Sequence, residues 1–114
     1  MTSVPAYSLQ IAPRDEADVG AELKTLEASN PKALGRLLRV LREIVDRGDK
    51  AREDNPVGFT LVPALHVVTV GAVVGCYAYG LDNGVYLLSV GRRGAQEKTI
   101  ELAVARIVNV PPEV

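Results

Sequence analysis

Arg92 and Arg93 stand side by side between Gly91 and Gly94, with Lys98 shortly after them. An arginine fork is planar, stays charged at any working pH and can hold two oxygens of one phosphate, where a lysine supplies only a point charge. The flanking glycines let the backbone turn sharply. The pair is therefore the first candidate for an aimed anion contact, to be weighed against two ordinary solvated charges of a surface loop. The other reactive residue types give less. His66 is the single histidine; with no paired Ser, Cys or carboxylate motif, it reads as a packing or strand-end group. Cys76, the single cysteine, alternates among apolar strand residues and reads as a small buried group that cannot form an internal disulfide. Tyr77, Tyr79 and Tyr86 are expected to line a sheet, although an exposed one could stack on a base. The sequence holds no Cys/His cluster, glycine-rich phosphate loop or metal-ligand spacing, so no cofactor is implied.

The elements that must position these residues follow from periodicity. Tyr7-Ser8-Leu9-Gln10-Ile11 alternates as a half-buried strand does, and Pro13 stops it. Asp15, Glu16 and Asp18 place acids at the positive end of a first helix whose inward stripe is Val19, Leu23 and Leu26. Pro31 opens a second helix; Leu34, Leu37, Leu38, Leu41, Ile44 and Val45 form its apolar face, and Gly48 ends it. The short Asn30-Pro31 link folds the two helices into a hairpin. Gly48 to Gly58, closing with Asn55-Pro56, reads as an exposed loop.

Beyond that loop the period becomes two. Leu65–Val70 and Val73–Tyr79 flank Gly71-Ala72 as a tight hairpin, and Leu81-Asp82-Asn83-Gly84 turns the chain into Val85–Val90. Gly91 to Gln96 reads as a basic loop. A last amphipathic helix carries Ile100, Ala103, Val104, Ile107 and Val108 and ends at Pro111-Pro112. The expected fold is a single α+β domain over 1–114 in the order strand-helix-helix-strand-strand-strand-helix: an antiparallel meander sheet joined by the N-terminal strand, with the helices packed on one face.

Composition agrees with one small globular domain: 114 residues, 47% hydrophobic and 24% charged, with formal net charge −1. That total gives no general affinity for phosphate backbones. The charge is uneven, however, because residues 31–52 hold seven basic and three acidic side chains, including Lys32, Arg36, Arg39, Arg42 and Arg47 on the second helix. This block is either a solvated helix face or a partner-binding one. The glycine-broken stretch from Pro56 to Leu81 is not a membrane span, and Met1 to Ala12 lacks the basic opening and apolar core of a secretory signal, so a cytoplasmic protein is expected.

Three stretches, Tyr7 to Arg14, Leu65 to Gly71 and Val85 to Arg93, resemble in order and spacing the RelE/ParE superfamily of toxins from type II toxin–antitoxin pairs. The resemblance runs from about Tyr7 to Val108. It implies a cognate antitoxin covering an apolar groove beside the helices or sheet, and a target that is either mRNA on the ribosome or DNA gyrase. In the RNA-cleaving members, Arg and Lys on a concave sheet face, often with a Tyr or His, surround the scissile phosphate, as stabilising a pentavalent phosphate requires. By that resemblance Arg92 and Arg93 are the catalytic candidates. This chain departs from the cleaving pattern at Thr69 and Val74, where arginines are usual. The departure leaves three readings open: an mRNA endonuclease with a degenerate site, a ParE-like gyrase inhibitor that acts by protein binding, and a non-toxic descendant that keeps an antitoxin- or self-binding surface, a homodimer included.

Overall fold

A computed structural model describes residues 8–47, 65–80 and 84–110. Tyr7, the Gly48–Gly58 loop, the Leu81–Asn83 part of the second turn and the Pro111-Pro112 terminus of the sequence reading lie outside them. The described residues form an α+β fold with three helices and a four-stranded mixed sheet. Strand β1 (Ser8–Gln10) leads through a short 3-10 turn at Pro13–Asp15 into helix α1 (Glu16–Ser29). Helix α2 (Pro31–Arg47) follows, then β2 (His66–Val70), β3 (Val73–Tyr79), β4 (Gly84–Arg92) and α3 (Gln96–Arg106).

The sheet order is β1-β4-β3-β2. Strands β2, β3 and β4 form the expected antiparallel meander, while β1 joins it at one edge, parallel to β4 through Ser8–Gly84, Leu9–Val85 and Gln10–Tyr86. Gly71 has φ +57 and supplies the left-handed residue of the two-residue turn between Val70 and Val73.

The α1–α2 hairpin covers one sheet face. Val19 and Leu26 of α1 and Leu34, Leu37, Leu41 and Val45 of α2 pack there on Val73, Tyr77, Tyr79, Val85, Leu87 and Val90. Leu37 sits over Gly75, where an added Cβ would approach its Cδ1 to 3.1 Å, so the glycine lets α2 lie close to the sheet. The placement of all helices on one face is overturned: α3 packs on the other, where Ala103 and Ile107 meet Cys76, Ala78, Tyr86 and Leu88. A strand with apolar residues on both sides needs both covered, and β3 and Gly84–Val90 of β4 are buried throughout.

Two further corrections concern the chain after β4. Gly91 to Gln96 is not a loop, because β4 continues to Arg92, a 3-10 turn spans Arg93–Ala95 and α3 begins at Gln96. The inward face of α3 is also displaced. Thr99, Ala103 and Arg106, with Ile107 in the 3-10 turn (Ile107–Asn109) that follows, are buried, whereas Val104 and, in that turn, Val108 are 56% and 76% exposed.

Candidate functional site

Arg92 ends β4 opposite Val73, and the Arg93 amide donates to the Ala72 carbonyl at 2.8 Å, so the β2–β3 turn and the β4–α3 junction are fastened together. Both arginines are exposed. With Asn30, Gly71, Ala72, Gly94 and Ala95 they line an open depression of about 710 Å³ at one end of the sheet. The α1–α2 link at Asn30 and Gly94 and Ala95 just before α3 contribute to its wall. Arg92 and Arg93 thus line the same open depression. Its described lining carries two cations and no acid/base side chain.

The side chains that could move a proton lie elsewhere. His66 opens β2 opposite Tyr77, four residues along β3 from Val73, which is about 13 Å from the arginine end at strand rise. The imidazole stacks on the Tyr77 ring at a centroid distance of 5.1 Å and meets the Tyr79 ring edge-on at 5.3 Å. Burial holds the imidazole below its ordinary value of 6.5 and raises the Tyr77 phenol. Tyr77 and Tyr79 face the helical hairpin and Tyr86 faces α3; none is exposed. Cys76 is fully buried, and desolvation raises its thiol above the ordinary range. Thr69 is exposed and Val74 is fully buried. The sheet face opposite the hairpin is covered by α3 over β3 and β4.

A second charged group was not singled out in the sequence. Arg106 of α3 donates from Nη2 to Glu22 Oε2 at 2.7 Å and from Nη1 to Glu22 Oε1 at 3.1 Å, and its Nη1 also donates to the Leu88 carbonyl at 2.8 Å. The Val90 amide donates to Glu22 Oε1 at 3.2 Å. The carboxylate holds the guanidinium above its ordinary pKa, against desolvation. A bulge makes this geometry. Cys76 pairs with Ser89 but Tyr77 pairs with Leu87, so Leu88 is the extra residue on β4. Past the reach of β1, the β4 edge therefore turns a carbonyl and an amide outward to Arg106 and Glu22, and the ion pair ties the helix layers across the sheet edge. Arg92, Glu22 and Arg106 also border an open depression of about 390 Å³ beside α1.

The signal for this pair was present. Glu22 occupies an inward helical position with Val19, Leu23 and Leu26, and Arg106 does so with Ala103 and Ile107. Opposite charges on the inward faces of two helices suggest a partly buried pair. Asp15 is similar, being buried at the start of α1 and accepting from Asn109 Nδ2 at 3.1 and 3.2 Å.

An apolar groove of about 380 Å³ runs between β1 and the hairpin, lined by Leu9, Ile11, Leu23, Leu38 and Leu87 with Gln10 and Glu16 at its rim. The basic residues Lys32, Arg36, Arg39, Arg42 and Arg47 lie on the exposed side of α2, where Arg42 approaches Asp46 at 3.6 Å. Among the described residues no cluster of three metal-ligating side chains occurs, and no helix is long and apolar enough to cross a membrane.

No protein-family model, curated protein or solved structure matches the chain.

Proposed function

We propose that this chain is a toxin-like protein of the RelE/ParE type that acts by binding its target through the Arg92–Arg93 end of the sheet, as a gyrase-directed inhibitor would. The observation that carries the reading is the depression itself: two exposed guanidiniums share it, and no described lining residue is an acid or base. Cleavage at a 2′-hydroxyl needs a group to accept a proton beside the cations, within about 3 Å of the reacting atom. His66 and Tyr77 lie about 13 Å along the sheet. Binding needs only the aimed cations. The groove between β1 and the hairpin supports a partner of antitoxin type, since an amphipathic segment can bury its apolar face there.

Controlled expression in bacteria tests the reading. Growth should stop with transcripts intact over the first minutes while signs of DNA damage rise, and the double substitution R92A/R93A should remove the inhibition. Because both side chains are exposed, that variant should keep its stability within about 0.5 kcal/mol of the parent. Fragmented transcripts in the first minutes would restore the endonuclease reading, and unimpaired growth with the folded parent chain would leave only the non-toxic descendant.

A further inference from the structure

The two sides of the sheet are finished differently. On the β1 side the edge strand has three described residues, and where β4 runs past it the ion pair of Glu22 and Arg106 occupies the outward Leu88 carbonyl and Val90 amide. On the other side β2 presents five residues, His66–Val70, and among the described residues it pairs only with β3. That edge has no formal charge at neutral pH, no proline and no bulge against β3, so it lacks the usual devices that stop strands from pairing with another chain. Helix α3 packs across β3 and β4, leaving Val67 43% exposed and Thr69 exposed beside it.

We propose that the β2 edge pairs with the β2 edge of a second copy, antiparallel about a two-fold axis at Val68, joining two four-stranded sheets into one of eight strands. The occupant follows from self-complementarity. Pairing centred on Val68 sets Val67 opposite Thr69 and His66 opposite Val70 of the other copy. No like charges meet, and β-branched side chains oppose one another on the face that α3 leaves open. A strand of this length spans about 17 Å, and pairing along it buries less than the roughly 1,200 Å² of a standard stable interface. The dimer is accordingly weak, with a dissociation constant on the order of 0.1 mM. Val67 and Thr69 do not line the Arg92–Arg93 depression, so this dimer stands or falls independently of the proposed function.

Sedimentation equilibrium between about 10 µM and 1 mM measures the association directly. The parent chain should show a monomer–dimer equilibrium in that range. V67K/T69K and V67E/T69E, both at exposed positions, should keep the parent's circular dichroism and each raise the dissociation constant at least tenfold, about the effect of two opposed like-charge pairs. Mixing the lysine and glutamate variants should restore a dimer, because each introduced ammonium then faces an introduced carboxylate across the axis. A parent that is monomeric throughout, a parent dimer unchanged by V67K/T69K, or a mixture that stays monomeric would each overturn the proposal.

Discussion

His66 shows how burial alone gives a side chain a role in stability. Its imidazole is packed between tyrosine rings, and burial lowers its pKa from 6.5. Below pH 6.5 the unfolded chain takes up the proton more readily than the folded one, so stability is full above 6.5 and is lost as pH falls through the lower folded-state value. Denaturation in urea at pH 7 and at pH 5.5 should show that loss, and H66F, which keeps the ring, should flatten it. Gly91 is a steric case. A Cβ there would collide with the Thr99 hydroxyl, which bonds the Ala95 carbonyl one helical turn back. G91A should cost about 1–3 kcal/mol by overpacking. T99A, removing the hydroxyl, should recover part of that cost in G91A/T99A, as measured by thermal melting.

At the scale of elements, the bulge in β4 and the helices α1 and α3 make one unit. The Arg106 and Glu22 side chains are 11% and 21% exposed, so either charge left alone would be partly desolvated and a backbone group of β4 would lose its partner. R106M should therefore cost about 2–4 kcal/mol, less than the full penalty of a deeply buried pair because water still reaches the carboxylate. E22L/R106M should be less destabilised than R106M alone, since no unpaired charge remains. Urea titration of the three proteins decides this; equal losses in the single and double variants would mean that the unpaired carboxylate is not the source of the cost. The Arg42–Asp46 contact on α2 is unlike this pair, because both partners are mostly exposed and salt screens them.

At the scale of the whole molecule, the sheet is covered on both faces, by the hairpin on one and by α3 on the other. Cys76 lies in the middle strand region under α3, fully buried, with its thiol pKa raised by desolvation. Thiolate is the reactive form, so the thiol should react with an aromatic disulfide reagent only through opening of that core. Its labelling rate should rise with urea at the slope of global unfolding. A rate independent of urea would reveal local release of α3 instead.

Much of this architecture was legible in the sequence because local patterns determine it. The apolar face of α2 recurs with the helical period, Gly71-Ala72 demands a tight turn, and the Val-rich runs alternate as strands; each needs only neighbours in the chain. The pairing of Arg92 with Arg93 at the sheet end was legible for the same reason. Tertiary structure alone decided which face α3 covers, because periodicity gives a helix an apolar side but does not say against what it packs. It decided the reach of β4 through Arg92, where pairing with Val73 and the hydrogen bond from the Arg93 amide to the Ala72 carbonyl continue a segment whose glycines and charges read locally as a loop. It also decided that Glu22 and Arg106, 84 residues apart, meet at an edge made by a bulge. A bulge changes register without a fixed composition, so the contact that closes the sheet edge became visible only when distant parts of the chain were brought together.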